Sequence, residues 1–482
     1  MSSCIPECWR TAIIKPIPKK STIDTMNPLE YRGISLLPNL YKIYSSVIND
    51  RLVFHMESNN IFVDNQNGFR TGRSCEEHLF TLTSIIRNRL YKKESTFVAY
   101  LDAEKAFDKI NRTYLLYKLL QCNVSGRLYE TIKCIYSYTD CVVVINDSFT
   151  KKFSTYLGVR QGDPLSSTLF NIFINDYPAF IDDPEGTGIN VNGTNVYCLI
   201  FADDIVLLSD CEQTLQTMLN KSYEWSKLWD MKFNVQKSHI IHHRPRSLKK
   251  SQYKFKLGSE YLETVHSCKY LGIIIDEHLD FIECTNVLAQ SGTRALGALI
   301  YKHRQIGLTY QTFTRLFDAC VSPVIMYSIA IWGTKEFSKI STVQYKGMKA
   351  FLCVNRFTSN ACITGDMGWT DLNVIRKIKL LKFWNRLIKL EEARVIKQVF
   401  LYDYDKCKRN WCAEIRKIAI EIKQLNVFTN KILFNIDYAQ CILHENFVSA
   451  WKTNIDDNHK MTLYNHVQFD YCILIINEIV PC

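Results

Sequence analysis

Residues 195–208 read NVYCLIFADDIVLL, with two adjacent carboxylates, Asp203 and Asp204, between two apolar runs. Each run has the length and the residue types of a short buried strand. Because a pair of charges cannot lie in the core, the pattern predicts a β-hairpin with both acids at its tip. Two carboxylates about 4 Å apart repel by roughly 4 kcal/mol at an effective dielectric near 20, and a bound Mg²⁺ would offset this repulsion. Taken alone, the stretch is explained equally well as an acidic turn, since Asp is a common turn residue.

The composition is that of a folded protein whose charge suits a polyanionic partner. A chain of 482 residues is too long for one compact core and predicts roughly three domains. Its apolar fraction of 47% and aromatic fraction of 12% are typical of packed globular proteins and exclude a disordered chain. The 59 basic residues against 48 acidic ones give a net charge of +11, which favours nucleic-acid binding but also fits a solvated surface.

The cysteines and the N-terminus predict an intracellular protein that is not secreted. None of the 18 cysteines forms a Cys-x-x-Cys pair, so the usual zinc-site spacing is absent. Residues 1–20 are interrupted by prolines and basic residues, unlike a signal peptide. The sequence has no apolar run long enough to predict a membrane span. Reduced thiols are therefore the simplest expectation.

The first hundred residues have readable local patterns. Residues 11–14 predict a strand, residues 16–20 a proline-rich turn, and residues 31–37 a second strand. Residues 40–56 predict a helix whose apolar positions include Leu40, Ile43, Tyr44, Val47, Ile48 and Leu52. Ser74, with Glu77 three residues later, predicts the capped start of another helix.

A third acid, Asp102, ends the predicted strand 97–101, just before a helix that starts near Lys105. If this strand and the acidic hairpin are neighbours in one sheet, Asp102, Asp203 and Asp204 meet at one edge. Phosphoryl transfer assisted by two metal ions needs such an arrangement, because the metal ions and a few charges do most of the chemistry. By itself, Asp102 reads more readily as an ordinary acid between a strand and a helix.

Several segments, in this order along the chain, resemble those of reverse transcriptases. Residues 100–108 (YLDAEKAFD), 158–166 (GVRQGDPLS) and 201–204 (FADD) resemble motifs A, B and C. Residues 31–37 (YRGISLL) and 67–74 (NGFRTGRS) resemble the finger motifs of non-LTR (LINE-type) retrotransposon enzymes. Lys237 is similar to the motif D lysine, and residues 268–272 (CKYLG) are similar to the primer grip. The resemblance covers roughly residues 8–280.

This resemblance implies an α+β, right-hand polymerase fold with a helical C-terminal extension. Fingers would span about residues 8–95 and return within 125–160, and a palm with an antiparallel sheet would carry the three acids. The implied domains are fingers and palm in 1–280, a helical thumb and following segment in 281–360, and a helical region of uncertain role in 361–482.

The resemblance also implies roles for single residues. Asp102 and Asp203 would bind two Mg²⁺ ions, for which Mn²⁺ is a substitute, with the Ala103 carbonyl as a further ligand and Asp204 close by. Lys237 would donate a proton to pyrophosphate, unless it is only a surface lysine. Phe107 would exclude the ribose 2′-OH, unless it is a core aromatic. The implied dNTP-binding residues are Lys19, Arg32, Phe107, Gln161 and Gly162, and the implied primer and template contacts are Arg70, Tyr270, Leu271 and Gly272.

The implied function is RNA-directed DNA synthesis from a primer 3′-OH, with dNTPs as substrates and RNA template and DNA primer as partners. The expected location is the nucleus or cytoplasm, as a ribonucleoprotein, and the sequence leaves the oligomeric state open. We also expect a truncated open reading frame, because residues 1–8 leave no room for an endonuclease domain. The alternatives are an inactive remnant that only binds RNA and an RNA-dependent RNA polymerase, against which Phe107 argues.

Overall fold

The structure, a computed structural model, describes residues 5–19, 24–182, 188–457, 461 and 464. The chain divides into two compact units. The first contains residues 1–78 and 94–265, and the second contains residues 79–93 and 266–482. In this division the chain passes into the second unit for the last time at 265/266, and the domain boundary near residue 280 stays a prediction. A further division near residue 360 stays a prediction.

The first unit contains two larger sheets, and a short hairpin starts the second unit. The strands in the described part of the chain are β1 (Thr11–Pro18), β2 (Tyr31–Leu36), β3 (Thr96–Asp102), β4 (Thr139–Ile145), β5 (Ser148–Phe149), β6 (Phe153–Thr155), β7 (Ile189–Val191), β8 (Thr194–Val196), β9 (Cys198–Phe201), β10 (Asp204–Ser209), β11 (His239–His243), β12 (Lys256–Leu257), β13 (Glu260–Tyr261), β14 (Glu263–Thr264), β15 (Ser267–Tyr270) and β16 (Ile273–Asp276).

The sheet that carries the acids has the strand order β14-β11-β3-β10-β9. β10 lies between β3 and β9 and runs antiparallel to both. β3 and β10 are buried along nearly their whole length, because apolar side chains point to both faces of each strand. The connection from β9 to β10 is only Ala202 and Asp203, so the predicted hairpin is confirmed.

The other sheet has the order β2-β1-β4-β5, with β6 also paired to β4. β1 runs antiparallel to β2 and parallel to β4. The prediction of a turn at Pro16 and Pro18 is wrong, because both prolines lie within β1. The sheet tolerates them because the pairing of β1 with β4 ends at Ile14, which leaves the proline positions paired on one side only.

The other main elements are helices, and helices form most of the second unit. Those that begin in the first unit are α1 (Asn39–Ser58), α2 (Cys75–Tyr91), α3 (Ala106–Lys109), α4 (Arg112–Gln121), α5 (Gly126–Ser137), α6 (Pro164–Ile174), α7 (Tyr177–Ile181) and α8 (Glu212–Leu228). Those that follow are α9 (Ile282–Ile306), α10 (Tyr310–Leu316), α11 (Ser322–Ile325), α12 (Ile329–Trp332), α13 (Ser338–Phe351), α14 (Asn360–Met367), α15 (Leu372–Ile388), α16 (Val395–Lys406), α17 (Trp411–Glu421), α18 (Leu425–Thr429) and α19 (Ile436–Asp456).

Both helix predictions in the N-terminal segment are confirmed in position. α1 covers the predicted range, and the predicted apolar positions Ile48 and Leu52 are buried. In its first turns, however, Tyr41 and Ser45 are buried, whereas Leu40 and Ile43 are 70% and 63% exposed. At the start of α2 the backbone N–H of Glu77 donates to Ser74 Oγ at 3.2 Å, as predicted for a capped helix. The predicted α+β class is confirmed as well. No helix in the described ranges combines the length and apolar character that crossing a bilayer needs.

Most of α2 belongs to the second unit, although it lies between two segments of the first. Residues 79–93 pack there through Phe80, whose ring centroid lies 5.5 Å from that of Phe383 and 5.2 Å from that of Trp411. The buried carboxylate of Asp403 accepts hydrogen bonds from Ser84 Oγ, at 3.2 Å, and from Asn88 Nδ2. The second unit therefore includes a helix that comes from the N-terminal part of the chain.

Candidate active site

The structure brings the three predicted acids together at one end of the β3–β10 pair. Asp102 is the last residue of β3, and it lies directly opposite Asp204, the first residue of β10. Asp203 precedes Asp204 in the tight connection that starts at Phe201, and residues 201–204 are called the acidic turn below. Antiparallel pairing explains the convergence, since it places the end of one strand beside the start of the other.

Burial raises the pKa of all three acids, and repulsion between carboxylates adds to the increase at Asp203 and Asp204. Burial raises the pKa of Asp204 to about 7, with further increases from the charges of Asp203 and Asp102. Burial also raises the pKa of Asp203, an effect that Asp102 reinforces and Arg32 opposes. The pKa of Asp102 is raised by burial and lowered by Lys237. Such a cluster of carboxylates is costly to ionise unless a cation neutralises it.

The donor set fits divalent metal ions, which prefer carboxylate and carbonyl oxygens. In the described residues, no three acidic, histidine or cysteine side chains are already closed around a common point. The Ala103 carbonyl is a further candidate. The bridge between Ala103 and Phe233 uses the N–H of Glu104 and the carbonyl of Asp102 instead.

Phe107 lies just after Asp102, at the start of a short helix. Its ring stacks on Phe170 of α6, with centroids 4.9 Å apart, and meets the edge of Phe69 at 6.0 Å. The side chain is only partly buried. The packing of the ring against the core therefore fits a core aromatic, and its accessible part fits a residue that excludes the ribose 2′-OH.

The other predicted nucleotide-binding residues lie just after β1, on β2 and in the loop before α6. Burial raises the pKa of Asp203 and of Asp108. The charge of Arg32, on β2, opposes this increase at Asp203, and that of Lys19, which follows β1, opposes it at Asp108. The Gln161 carbonyl accepts a hydrogen bond from the N–H of Ser35 at 2.7 Å. At Gly162, φ is +110°, and a Cβ there would lie 2.8 Å from the Ser35 carbonyl oxygen. Glycine is therefore required for the close approach of this loop to β2.

Lys237 is close to the acids and well exposed. Its Nζ lies 3.9 Å from Asp102 Oδ2, and its side chain is 69% exposed. An exposed ion pair at this distance contributes little to stability, so it shows where the ammonium group lies but does not hold it there. The role of Lys237 as a proton donor stays a prediction.

Arg70 has a structural role that the sequence did not indicate. Its guanidinium donates to both carboxylate oxygens of Glu57, at 2.8 and 2.7 Å, and to the Val63 carbonyl at 2.7 Å. The side chain is almost completely buried. A bidentate pair of this kind is strong and directional. Arg70 therefore stabilises the loop before α2, and its contact with nucleic acid stays a prediction.

Tyr270, Leu271 and Gly272 lie in the second unit, at the tip of the β15–β16 hairpin. Leu271 and Gly272 both have positive φ, at 43° and 87°, as a tight two-residue hairpin connection requires. The Leu271 carbonyl accepts a hydrogen bond from the hydroxyl of Tyr327 at 3.0 Å. The hairpin is thus held in place within its own unit, and its contact with a primer stays a prediction.

Gln66 reaches the acidic turn and is not among the predicted site residues. Its side-chain oxygen accepts a hydrogen bond from the Ala202 N–H at 3.0 Å. The only local signal in the sequence is its position one residue before the segment 67–74. A glutamine at that place gives no indication of which distant backbone it binds.

Substituting Asp204 with asparagine is expected to stabilise the metal-free protein at neutral and higher pH. A carboxyl whose folded pKa exceeds its unfolded value near 4 destabilises the folded state as pH rises from about 4 to about 7. The gain for Asp204→Asn in EDTA should reach about 4 kcal/mol at pH 8, because the pKa of Asp204 is raised from 3.8 to about 7, and vanish near pH 4. Urea unfolding at both pH values measures it. Asp210→Asn, at an exposed acid just after β10, is the control, and an equal gain there would contradict the explanation.

Comparison with known proteins agrees with this geometry. Residues 17–275, more than half of the chain, match the family described as reverse transcriptase (RNA-dependent DNA polymerase). The probable RNA-directed DNA polymerase from transposon BS of Drosophila melanogaster is 28% identical over 361 residues, which cover 72% of this chain and 38% of that protein. The RNA-directed DNA polymerase from mobile element jockey of the same species is 25% identical over 356 residues, with coverages of 71% and 38%.

The chain therefore spans 38% of the length of these two relatives. A structure of telomerase from Candida albicans, in complex with a fragment of telomeric RNA, is 11% identical and covers 82% of this chain and 66% of that one. Its TM-score is 0.41, which is too low to support a fold assignment. The family match itself confirms the predicted right-hand polymerase class and the resemblance on which it rested. The chain belongs to the reverse transcriptase (RNA-dependent DNA polymerase) family.

Proposed function

We propose that this chain is an RNA-directed DNA polymerase of a non-LTR retrotransposon. It extends a primer 3′-OH with dNTPs, and the primer oxygen attacks the α-phosphorus while pyrophosphate leaves. The observation that supports this most strongly is the pairing of Asp102 with Asp204, with Asp203 beside them, within the residues that match the family. The net charge of +11 suits an RNA template and a DNA primer.

The acids are assigned to metal binding. Asp102 and Asp203 hold two divalent ions, Mg²⁺ or in its place Mn²⁺, with the Ala103 carbonyl as a further ligand, and Asp204 mainly adds negative charge. When bound, such ions activate the attacking oxygen and neutralise the leaving pyrophosphate. The raised pKa values of the three acids support this assignment, since burial disfavours their charged forms and a bound cation would favour them.

The remaining site residues are assigned to substrate binding. Arg32 and Lys19 bind the triphosphate, the arginine by two parallel hydrogen bonds. Gln161 and Gly162 contact the templating base and the incoming nucleotide, and Phe107 excludes the ribose 2′-OH. Lys237 donates a proton to the leaving pyrophosphate. We assign Arg70 and the 270–272 hairpin to the primer and template, and we place the protein in the nucleus or cytoplasm as a ribonucleoprotein.

Primer extension on an RNA template with dNTPs and Mg²⁺ tests the proposal. The parent protein should extend the primer, and Asp203→Asn, purified in the same way, should not. A folded parent that binds RNA in a salt-sensitive manner without adding nucleotides would instead support the inactive remnant. Incorporation of rNTPs in preference to dNTPs would support an RNA polymerase.

A further inference from the structure

The segment just before the 67–74 motif runs along the outer edge of β9. The N–H of Ile200 donates to the Asn65 carbonyl, and the N–H of Asn67 donates to the Ile200 carbonyl, both at 2.8 Å. Gln66 and Ile200 thus form a parallel bridge. β9 is the last strand of its sheet on this side, so these bonds satisfy backbone groups that would otherwise be unpaired.

The Gln66 side chain continues this contact into the acidic turn. Its Oε1 accepts from the N–H of Ala202 at 3.0 Å and from the N–H of Gly68 at 2.7 Å. Its Nε2 donates to the Ala202 carbonyl at 3.3 Å. The side chain, only 1% exposed, therefore binds both backbone polar groups of the residue before Asp203.

Ala202 needs such support because of its backbone conformation. Its φ is +58°, in the left-handed region that costs a residue with a Cβ roughly 1–2 kcal/mol. A conformation of this kind persists only where its surroundings enforce it. A change of φ at Ala202 would redirect the side chain of Asp203, the next residue.

Two further residues keep the loop against the turn. A Cβ at Gly68 would lie 2.2 Å from the Ala202 nitrogen, so only glycine permits this approach. The buried Asn171 of α6 donates from Nδ2 to the Gly68 carbonyl at 2.9 Å. Asn171 thus connects α6, the helix that follows the loop of Gln161 and Gly162, to the loop that holds the acidic turn.

From these contacts we propose that Gln66 is a positioning residue that holds the acidic turn in its strained conformation and thereby sets the direction of Asp203. The inference rests on the proposed function, in which Asp203 is a metal ligand. Gln66 itself touches neither metal nor substrate. Its loss should therefore slow the chemical step while primer and template binding stays the same.

The variant is Gln66→Met, which keeps the unbranched shape and removes the three hydrogen bonds. Asn175→Leu is the matched control, because Asn175 binds the same loop at Ile61 and Val63, at 2.8 and 3.0 Å, without touching the turn. Ala202→Gly, alone and combined with Gln66→Met, completes a double-mutant cycle. Glycine adopts positive φ without strain, so it makes the support of Gln66 less necessary.

Gln66→Met should lower the single-turnover extension rate about 100-fold, while the Kd for primer–template stays within about twofold. Adding Ala202→Gly should recover about tenfold of that loss. Asn175→Leu should lower the melting temperature with little change in rate. A rate loss in Asn175→Leu that matches that of Gln66→Met, or no recovery in the double variant, would overturn the inference.

Hydrogen exchange of the peptide spanning residues 198–204 gives a readout that needs no activity. Gln66→Met should speed exchange there at least about tenfold, because the Ala202 N–H loses its acceptor, and Asn175→Leu should not. If the parent fails to extend primers, the proposed function fails, yet this exchange still decides whether Gln66 holds the turn. Unchanged exchange in Gln66→Met would refute the positioning role.

Discussion

Asp203→Asn is expected to lower the rate of primer extension at least about a thousandfold, which corresponds to roughly 4 kcal/mol of lost transition-state stabilisation. The amide has the size of the carboxylate but no charge, and it is a poor ligand for Mg²⁺. Because burial and Asp102 raise the pKa of Asp203, removal of its charge should not unfold the protein. Single-nucleotide extension at saturating primer–template measures the effect.

The exposed Asp210 provides the matched control for this substitution. Asp210→Asn makes the same chemical change just after β10 and should retain the parent rate. Melting temperatures of both variants, measured in EDTA, show whether folding is intact. A folded Asp203→Asn protein with more than about a tenth of the parent rate would contradict the assignment of Asp203 as a metal ligand.

Phe107→Val is expected to raise the efficiency of rNTP incorporation relative to dNTP about 100-fold. The smaller side chain leaves room for a 2′-OH where the aromatic ring stood. The ring also stacks on Phe170, so the variant should lose about 1–2 kcal/mol of stability as well. Competition between dCTP and rCTP on one template position measures the ratio directly.

A loss of packing alone must be separated from a loss of sugar selection. Phe173→Leu removes another ring of α6, one that packs on Trp225 rather than on Phe107. It should lower stability and leave the ratio of dNTP to rNTP use unchanged. A parent enzyme that already prefers rNTPs, or a control that relaxes selection equally, would show that Phe107 is only a core aromatic.

The acidic hairpin could be predicted because every part of its signal is local. Two apolar runs and two adjacent acids specify β9, β10 and their connection without reference to the rest of the chain. Asp102 was predictable for the same reason, as the polar end of an apolar strand. The pairing of Asp102 with Asp204 was then the simplest way to bring the three charges together.

The buried positions in the first turns of α1 could not be predicted, because distant residues determine them. Asp163 is buried before α6, and it accepts hydrogen bonds from the Tyr41 hydroxyl, at 2.5 Å, and from Ser45 Oγ. A buried carboxylate requires such donors, and this requirement outweighs the apolar character of Leu40 and Ile43. Periodicity within the helix carries no information about a partner more than a hundred residues away.

The structural role of Arg70 and the contact of Gln66 with Ala202 could not be predicted either, because the sequence pattern does not identify their partners. A motif shows which residue types recur, but it does not show whether a guanidinium binds nucleic acid or Glu57. The N-terminus of α8 shows that residue type does not always identify the capping residue of a helix. Asp210 is the better capping residue by type, yet Cys211 occupies the N-cap position.

The path of the chain through α2 limits how this protein can be shortened. The chain crosses between the two units at 78/79, 93/94 and 265/266, so no single cut separates them. A fragment that ends at residue 265 would keep residues 79–93 but lose Phe383, Trp411 and Asp403. Phe80, Ser84 and Asn88 would then lack these packing and hydrogen-bond partners. Such a fragment should aggregate. Transfer of the N-terminal part of this chain into a new gene context therefore has to carry the C-terminal helices along.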